Sequence, residues 1–319
     1  MVQVMKKALT TIFLSAMILI LAVYITGEIY RSLDHTEYFL ERAGTLARSE
    51  ERLAGESDGH MHFEVTLESS TGITAKGLLK APSGGGLHPA LLVLGGVRTG
   101  RKTLEYIGYT KGIVMLALDY PYEGKTGNMS IWEFLGSVPR IRRAVLDTAP
   151  AARIAVDYLR QRDDVDPGRI IVIGGSLGAF FVPAHAAIDD RPAAAVMIYG
   201  AGDIQSILAA SHDMPRLVSR PAGWLGAVLL SPVEPLKYAR LIGPRPVLMI
   251  SGRHDERIPE RSSRLLHEAA SFPKTVLWID RGHVTVREEE FHTLISGLLI
   301  DWLVENGLVS RESFLTDTD

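Results

Sequence analysis

The stretch Ile170-Ile171-Val172-Ile173-Gly174-Gly175-Ser176-Leu177-Gly178-Ala179-Phe180 decides the fold. Four β-branched apolar residues in a row read as a short strand buried on both faces. The glycines around Ser176 read as a tight turn, and the small residues after it as the start of a helix. Gly174-Gly175-Ser176-Leu177-Gly178 matches G-x-S-x-G, in which the serine stands at the apex of a sharp strand-to-helix turn with its Oγ exposed. Glycine suits such a turn because backbone and helix approach too closely for larger side chains. By composition alone the pattern arises by chance at about 3 × 10⁻⁴ of positions, so its weight rests on context. That context is a turn, Val165-Asp166-Pro167-Gly168-Arg169, leading directly into the strand.

Outward from this stretch the chain alternates strands and helices. Residues 62–67 and 73–79 alternate apolar and polar, as half-exposed strands do. Residues 90–94 and 113–118 are continuous apolar runs, and further strands read at 194–198, 246–250 and 275–279. Helical spacing reads near 103–110 and 147–160, and at 260–270 and 288–305. The expectation is an α/β domain over residues 62–309, a mostly parallel sheet of about eight strands with helices on both faces, followed by a tail over 310–319. Residues 203–238 break the rhythm with Pro215, Pro221, Pro232 and Pro235. They form either a lid over the site or a plain connecting excursion.

The chain has 319 residues, 46% of them hydrophobic and 22% charged, enough for one sizeable core. A net charge of −3 gives no basic excess of the kind nucleic acid requires. Having no cysteine, the chain forms no disulfide and offers no thiol nucleophile or thiolate metal site. No cofactor and no metal are expected. Near the N-terminus Lys6 and Lys7 precede Ala8 to Thr26, an uncharged run that would make roughly 28 Å of helix, close to the ~30 Å hydrocarbon core. Residues 1–27 are therefore expected to be a membrane anchor, with the alternative of a signal peptide, although the run is long and no A-x-A cleavage site ends it. The lysines keep the N-terminus cytoplasmic and put the rest on the extracytoplasmic side; cleavage would make the protein secreted. Residues 28–61 are expected to be a juxtamembrane helix and linker, because Phe39, Leu40, Ala43, Leu46 and Ala47 fall near helical spacing among many charges.

A serine hydroxyl needs a base to take its proton, and the base needs a third group to hold its tautomer. Both belong on loops just past core strands. After strand 246–250 comes Ser251-Gly252-Arg253-His254-Asp255-Glu256-Arg257-Ile258-Pro259, and Asp255 is the candidate acid. Glu256 is one residue off, and Asp203 is the main rival. After strand 275–279 comes Asp280-Arg281-Gly282-His283, and His283 is the candidate base. His254 adjoins the acid; His185, His267 and His292 fall in helical patterns, where packing is the expected role. The oxyanion donors would be the N–H of Leu177, right after the serine, and that of Gly96 in the loop after residue 94, with Val97 close behind. Arg98, Arg101 and Lys102 follow that loop, either to attract an acidic substrate group or as a solvated basic turn.

With these residues the chain resembles the α/β-hydrolase superfamily. The elbow at Ser176, the acid in Gly252-Arg253-His254-Asp255 and the histidine in Arg281-Gly282-His283 stand in that family's order of nucleophile, acid, base, and the likeness covers about residues 62–305. Asp119-Tyr120-Pro121-Tyr122-Glu123-Gly124 is similar to a loop of the dienelactone-hydrolase and prolyl-oligopeptidase-like branches. Where many relatives carry His-Gly at the oxyanion loop, this chain has Leu94-Gly95. The resemblance implies hydrolysis of a small acyl substrate, foremost a carboxylic ester, through a Ser176–His283–Asp255 triad and an acyl-enzyme, without a metal. Thioesterase and exopeptidase or amidase activities belong to the same fold. The contrasting class is a membrane-tethered binding protein that keeps the fold without turnover.

Overall fold

The structure is a computed structural model and describes residues 2–57, 59–97, 99–107, 110–125, 127, 129–210, 215–283 and 289–314. In chain order these residues form α1 (Val2–Ser32), α2 (Thr36–Ala43), β1 (Leu46–Ser57), β2 (His60–Ser69), β3 (Thr74–Pro82), β4 (His88–Leu94), β5 (Val114–Leu118), α3 (Ile131–Gln161), β6 (Val165–Gly175), α4 (Leu177–Ile188), β7 (Ala194–Ile198), α5 (Ile204–Ala209), α6 (Arg216–Leu230), α7 (Pro235–Tyr238), β8 (Val247–Gly252), α8 (Glu260–Ala269), β9 (Lys274–Ile279) and α9 (Glu289–Glu305). One nine-stranded sheet runs in the order β1-β2-β3-β5-β4-β6-β7-β8-β9. β1, β2 and β3 are antiparallel neighbours and β3 runs antiparallel to β5; β5, β4, β6, β7, β8 and β9 are parallel.

The continuous apolar runs are the strands that are covered twice. Along β4, Leu92 and Leu94 face one cluster with Ala152 and Val156 of α3 and Val182 of α4, while Leu91 and Val93 face another with Trp302 and Leu303 of α9. The registers Leu94↔Gly174, Gly174↔Met197 and Met197↔Met249 set the C-terminal ends of β4, β6, β7 and β8 in one row. The loops after these strands emerge side by side, which is where ligands bind in open α/β sheets.

Two readings change. Residues 46–57 are strand β1, where helical spacing pointed to a continuing helix and linker, and with it the expected sheet of about eight strands counts nine. Gly44 ends α2 at φ +59°, and β1 then pairs with β2 along its length. Nearly every β1 side chain is exposed, and main-chain pairing leaves no apolar alternation to read in the sequence. Likewise α3 begins at Ile131, well before the helix read at 147–160, and it contains Pro139 and Pro150. Ser130 and Glu133 form a reciprocal capping box that fixes its start.

α1 does not stop at the end of its apolar run. Its last turns pack on the domain: the Tyr24 ring stacks on Trp224 of α6 at 5.5 Å, and Trp224 Nε1 donates to Glu28 Oε1 at 2.7 Å. A Cβ at Gly27 would lie 2.4 Å from the Trp224 ring, so only glycine admits this approach. Arg31 donates to Gln205 Oε1 at 2.8 Å, and Arg142 of α3 to the Tyr30 hydroxyl at 2.5 Å. Behind it α2 inserts Phe39, 0% exposed, between the helices of the first face.

Phe39 therefore tests whether α2 belongs to the folded unit. Phe39→Ala is expected to lower unfolding free energy by about 3–5 kcal/mol in urea titration, the usual cost of removing a buried aromatic; a change below about 1 kcal/mol would make α2 an appendage.

Candidate active site

Ser176 sits between β6 and α4 at φ 50°, a positive value that a β-carbon makes unfavourable by roughly 1–2 kcal/mol. The surroundings hold it there. Its N–H donates to Ile198 O at 2.8 Å, and its carbonyl accepts Ala179 N–H at 3.0 Å. A Cβ on Gly178 would lie 1.9 Å from the Leu94 carbonyl oxygen, and one on Gly174 2.6 Å from the Ala179 backbone. Nothing stands within 4 Å of the corresponding point on Gly175. The two outer glycines of G-x-S-x-G are thus sterically required, and the inner one is not.

The structure brings Ser176, His283 and Asp255 together. Ser176 Oγ lies 3.0 Å from His283 Nε2, and His283 Nδ1 lies 2.8 Å from Asp255 Oδ2. The other oxygen of Asp255 accepts the N–H groups of Arg257 and Ile258 at 2.8 and 2.9 Å. The histidine and aspartate side chains are buried, so the line of hydrogen bonds is shielded from water. With Asp255 accepting at Nδ1, the free lone pair of a neutral His283 faces the serine hydroxyl.

The loop after β4 turns toward this serine. The Gly95 carbonyl accepts Gly178 N–H at 3.2 Å and also the Tyr120 hydroxyl. A Cβ on Gly95 would run into Thr103 Oγ1 at 2.0 Å, and one on Gly96 would lie 4.0 Å from Ser176 Cβ. Among the described residues, the N–H groups of Gly96 and Leu177 donate to no protein acceptor. Gly96 and Leu177 thus lie beside the serine, one by the fold and one by sequence.

Comparison with known proteins agrees with this architecture. The sequence model of the dienelactone hydrolase family matches residues 130–278. Acetyl xylan esterase 1 from Thermoanaerobacterium sp. JW/SL YS485 superposes with a TM-score of 0.62 over 85% of this chain and 93% of that one, at 18% identity. The acetyl xylan esterase from Paenibacillus sp. R4 gives 0.63 over 84% and 92%, at 20% identity. The chain has the α/β-hydrolase fold. In sequence, the chain is 29% identical to an uncharacterized protein of Mycobacterium tuberculosis over 66% of its own length and 68% of that protein's.

The remaining candidates lie elsewhere or make other contacts. Asp203 caps α5, accepting Ser206 N–H at 3.2 Å, and its own N–H is held by Glu234 at 2.9 Å. His254 is exposed and pairs with Asp280 at 2.7 Å. Arg101 is engaged by Asp119 through its main-chain N–H at 3.0 Å and its Nε at 2.6 Å; Lys102 is exposed, and Arg98 lies outside the described residues. His185 is buried beside Asp189 in the core, and His292 stacks on Tyr106. Among the described residues no group of three or more His, Asp or Glu side chains could hold a metal ion.

Three residues support the arrangement in ways the sequence reading did not assign. Tyr120 clamps the loop after β4 as described. Buried Tyr199, just past β7 at φ 58°, donates its hydroxyl to Gly282 O at 2.7 Å and sets its ring edge-on to His283 at 5.3 Å. Glu256 Oε2 accepts His283 N–H at 3.0 Å, which holds its carboxyl below the usual range. Proximity in sequence hinted at Glu256 and Tyr120; nothing local marked Tyr199.

Under the acid loop, Ser251 shares a 3.1 Å hydrogen bond with His267 Nε2. Burial, helped by Arg264 and Lys274, pushes His267 down from 6.5 to about 4. Between those values the unfolded chain binds a proton that the folded chain does not, so stability is full above roughly pH 6.5 and falls as pH drops toward 4. His267→Gln is expected to remove about 2–3 kcal/mol of this pH dependence, measured by urea titration at pH 7 and pH 4. An unchanged slope would show that His267 does not carry it.

Proposed function

We propose that this hydrolase is a serine esterase of the carboxylesterase kind. The observation that carries the reading is the unbroken line Ser176 Oγ, His283 Nε2, His283 Nδ1, Asp255 Oδ2, with steps of 3.0 and 2.8 Å, behind a serine held at positive φ. Ser176 Oγ attacks the acyl carbon while His283 Nε2 takes its proton. The new oxyanion is met by the N–H groups of Gly96 and Leu177. Collapse expels the alcohol, which leaves with the proton from His283. Water then attacks the acyl-enzyme, giving His283 a proton that returns to Ser176 as the acid departs. Asp255 keeps the imidazole in the productive tautomer and stabilises its charged form. The same machinery serves a thioester. A peptidase would hold a charged substrate terminus, and Arg101, at the mouth of the oxyanion loop, is already paired with Asp119.

The reading extends to the N-terminus. α1 is long and apolar enough to cross a membrane. We take it as an uncleaved anchor with a cytoplasmic N-terminus and an extracytoplasmic catalytic domain, following Lys6 and Lys7. In support, Tyr24, Gly27, Glu28 and Arg31 pack against α5 and α6, contacts that cleavage after the apolar run would disrupt.

A fluorophosphonate probe followed by peptide mass spectrometry is expected to place one adduct on Ser176, lost in Ser176→Ala and His283→Ala. Asp255→Asn should keep the fold and lower kcat by up to about 10⁴ on p-nitrophenyl acetate. Folded protein that neither labels nor turns over this ester would favour the non-catalytic reading.

A further inference from the structure

α6 and the first turns of α3 share an exposure that the domain's own packing does not explain. Leu217 is 91% exposed and Trp132 79%, and Val218, Leu225, Phe134 and Leu135 are exposed with them. α3 packs on α6, so these side chains belong to neighbouring elements. Exposed Arg216 and Arg220 on α6 and Arg140 on α3 stand among them. Apolar anchors interspersed with arginine are the composition of a surface that lies in a lipid headgroup layer.

What fixes the occupant is α1. Its apolar stretch is bare of protein over the whole window that could cross a membrane. Where that stretch ends, the Tyr24 and Trp224 rings stack, and tyrosine and tryptophan favour the membrane interface. Trp224 belongs to α6 and is further tied to α1 through Glu28 and Gly27. A bilayer crossed by α1 must therefore touch α6, whose Leu225 adjoins Trp224 and whose Leu217 and Val218 lie two turns away. Both elements also rise from the active edge of the sheet. α3 begins after the loop that leaves the C-terminal end of β5, and α6 lies in the crossing from β7 to β8.

We propose that the face formed by α6 and the start of α3 is seated in the headgroup layer of the bilayer that α1 spans, and that the site takes an amphiphilic acyl ester resident in that bilayer. The proposal rests on the esterase and anchor readings above, and its test separates them. Because the chain has no cysteine, single nitroxide labels can be placed in the full-length protein at Trp132→Cys, Leu217→Cys and Leu225→Cys, with Leu87→Cys, exposed on the β3–β4 loop at the opposite end of β4, as the aqueous reference. In vesicles of phosphatidylethanolamine and phosphatidylglycerol, the first three labels are expected to collide with oxygen in preference to a water-soluble nickel chelate, and the reference with the chelate. Chelate-accessible labels at all four positions overturn the docked face.

The doubly substituted Leu217→Glu, Leu225→Glu protein is then assayed on a fluorogenic diacyl ester in those vesicles and on soluble p-nitrophenyl acetate. About a tenfold or greater loss on the first with the second unchanged supports supply from the bilayer; equal rates or parallel losses overturn it. Fluorophosphonate labelling of Ser176 in each variant reports that the site is folded. Lipid-facing labels in a protein whose Ser176 never labels would uphold the docked face and overturn the esterase reading instead.

Discussion

The structure turns on how closely α4 can be brought to the end of β4. The Leu94 carbonyl oxygen occupies the space where any side chain on Gly178 would begin. That approach lets Gly178 N–H bond to Gly95 O and so couples the elbow to the loop after β4. It also forces the chain to reverse within one residue, which puts Ser176 at positive φ with its Oγ turned out of the sheet. Local strain of about 1–2 kcal/mol is outweighed by the main-chain bonds and the packed strands on either side.

Two further loops of the candidate site are held through their main-chain atoms. The Tyr199 hydroxyl fixes the Gly282 carbonyl, Glu256 fixes the His283 N–H, and Tyr120 with Gly178 fixes the Gly95 carbonyl. Each clamp joins elements far apart in sequence. The backbone of His283 and of the loop after β4 is thus fixed by the fold itself.

This division explains what could be read from the chain. Residues 170–178 announced themselves because burial and steric closeness restrict both residue type and spacing. Asp255 and His283 stood out because each follows an apolar strand at the expected edge. Tyr199 and the strand β1 did not, for a common reason: their roles are expressed through hydrogen bonds to distant backbone. β1 in particular carries Arg48, Glu50 and Arg52 on a fully exposed strand, so nothing in its pattern separates it from a solvated helix. The early start of α3 was hidden by Pro139, which local rules read as a helix stop although this long helix accommodates it.

β1 has a further meaning. It is one of the sheet's two edge strands, and among the described residues its outer edge has no neighbouring strand. Such a rim is a template for another chain, and alternating basic and acidic side chains discourage flat pairing. The register shift between Leu53 and Gly55 disturbs the rim's regularity at the same place. A second molecule lying alongside would have to match both the charges and the irregularity. The same charged strand that concealed itself in the sequence thus guards the sheet against growing from molecule to molecule.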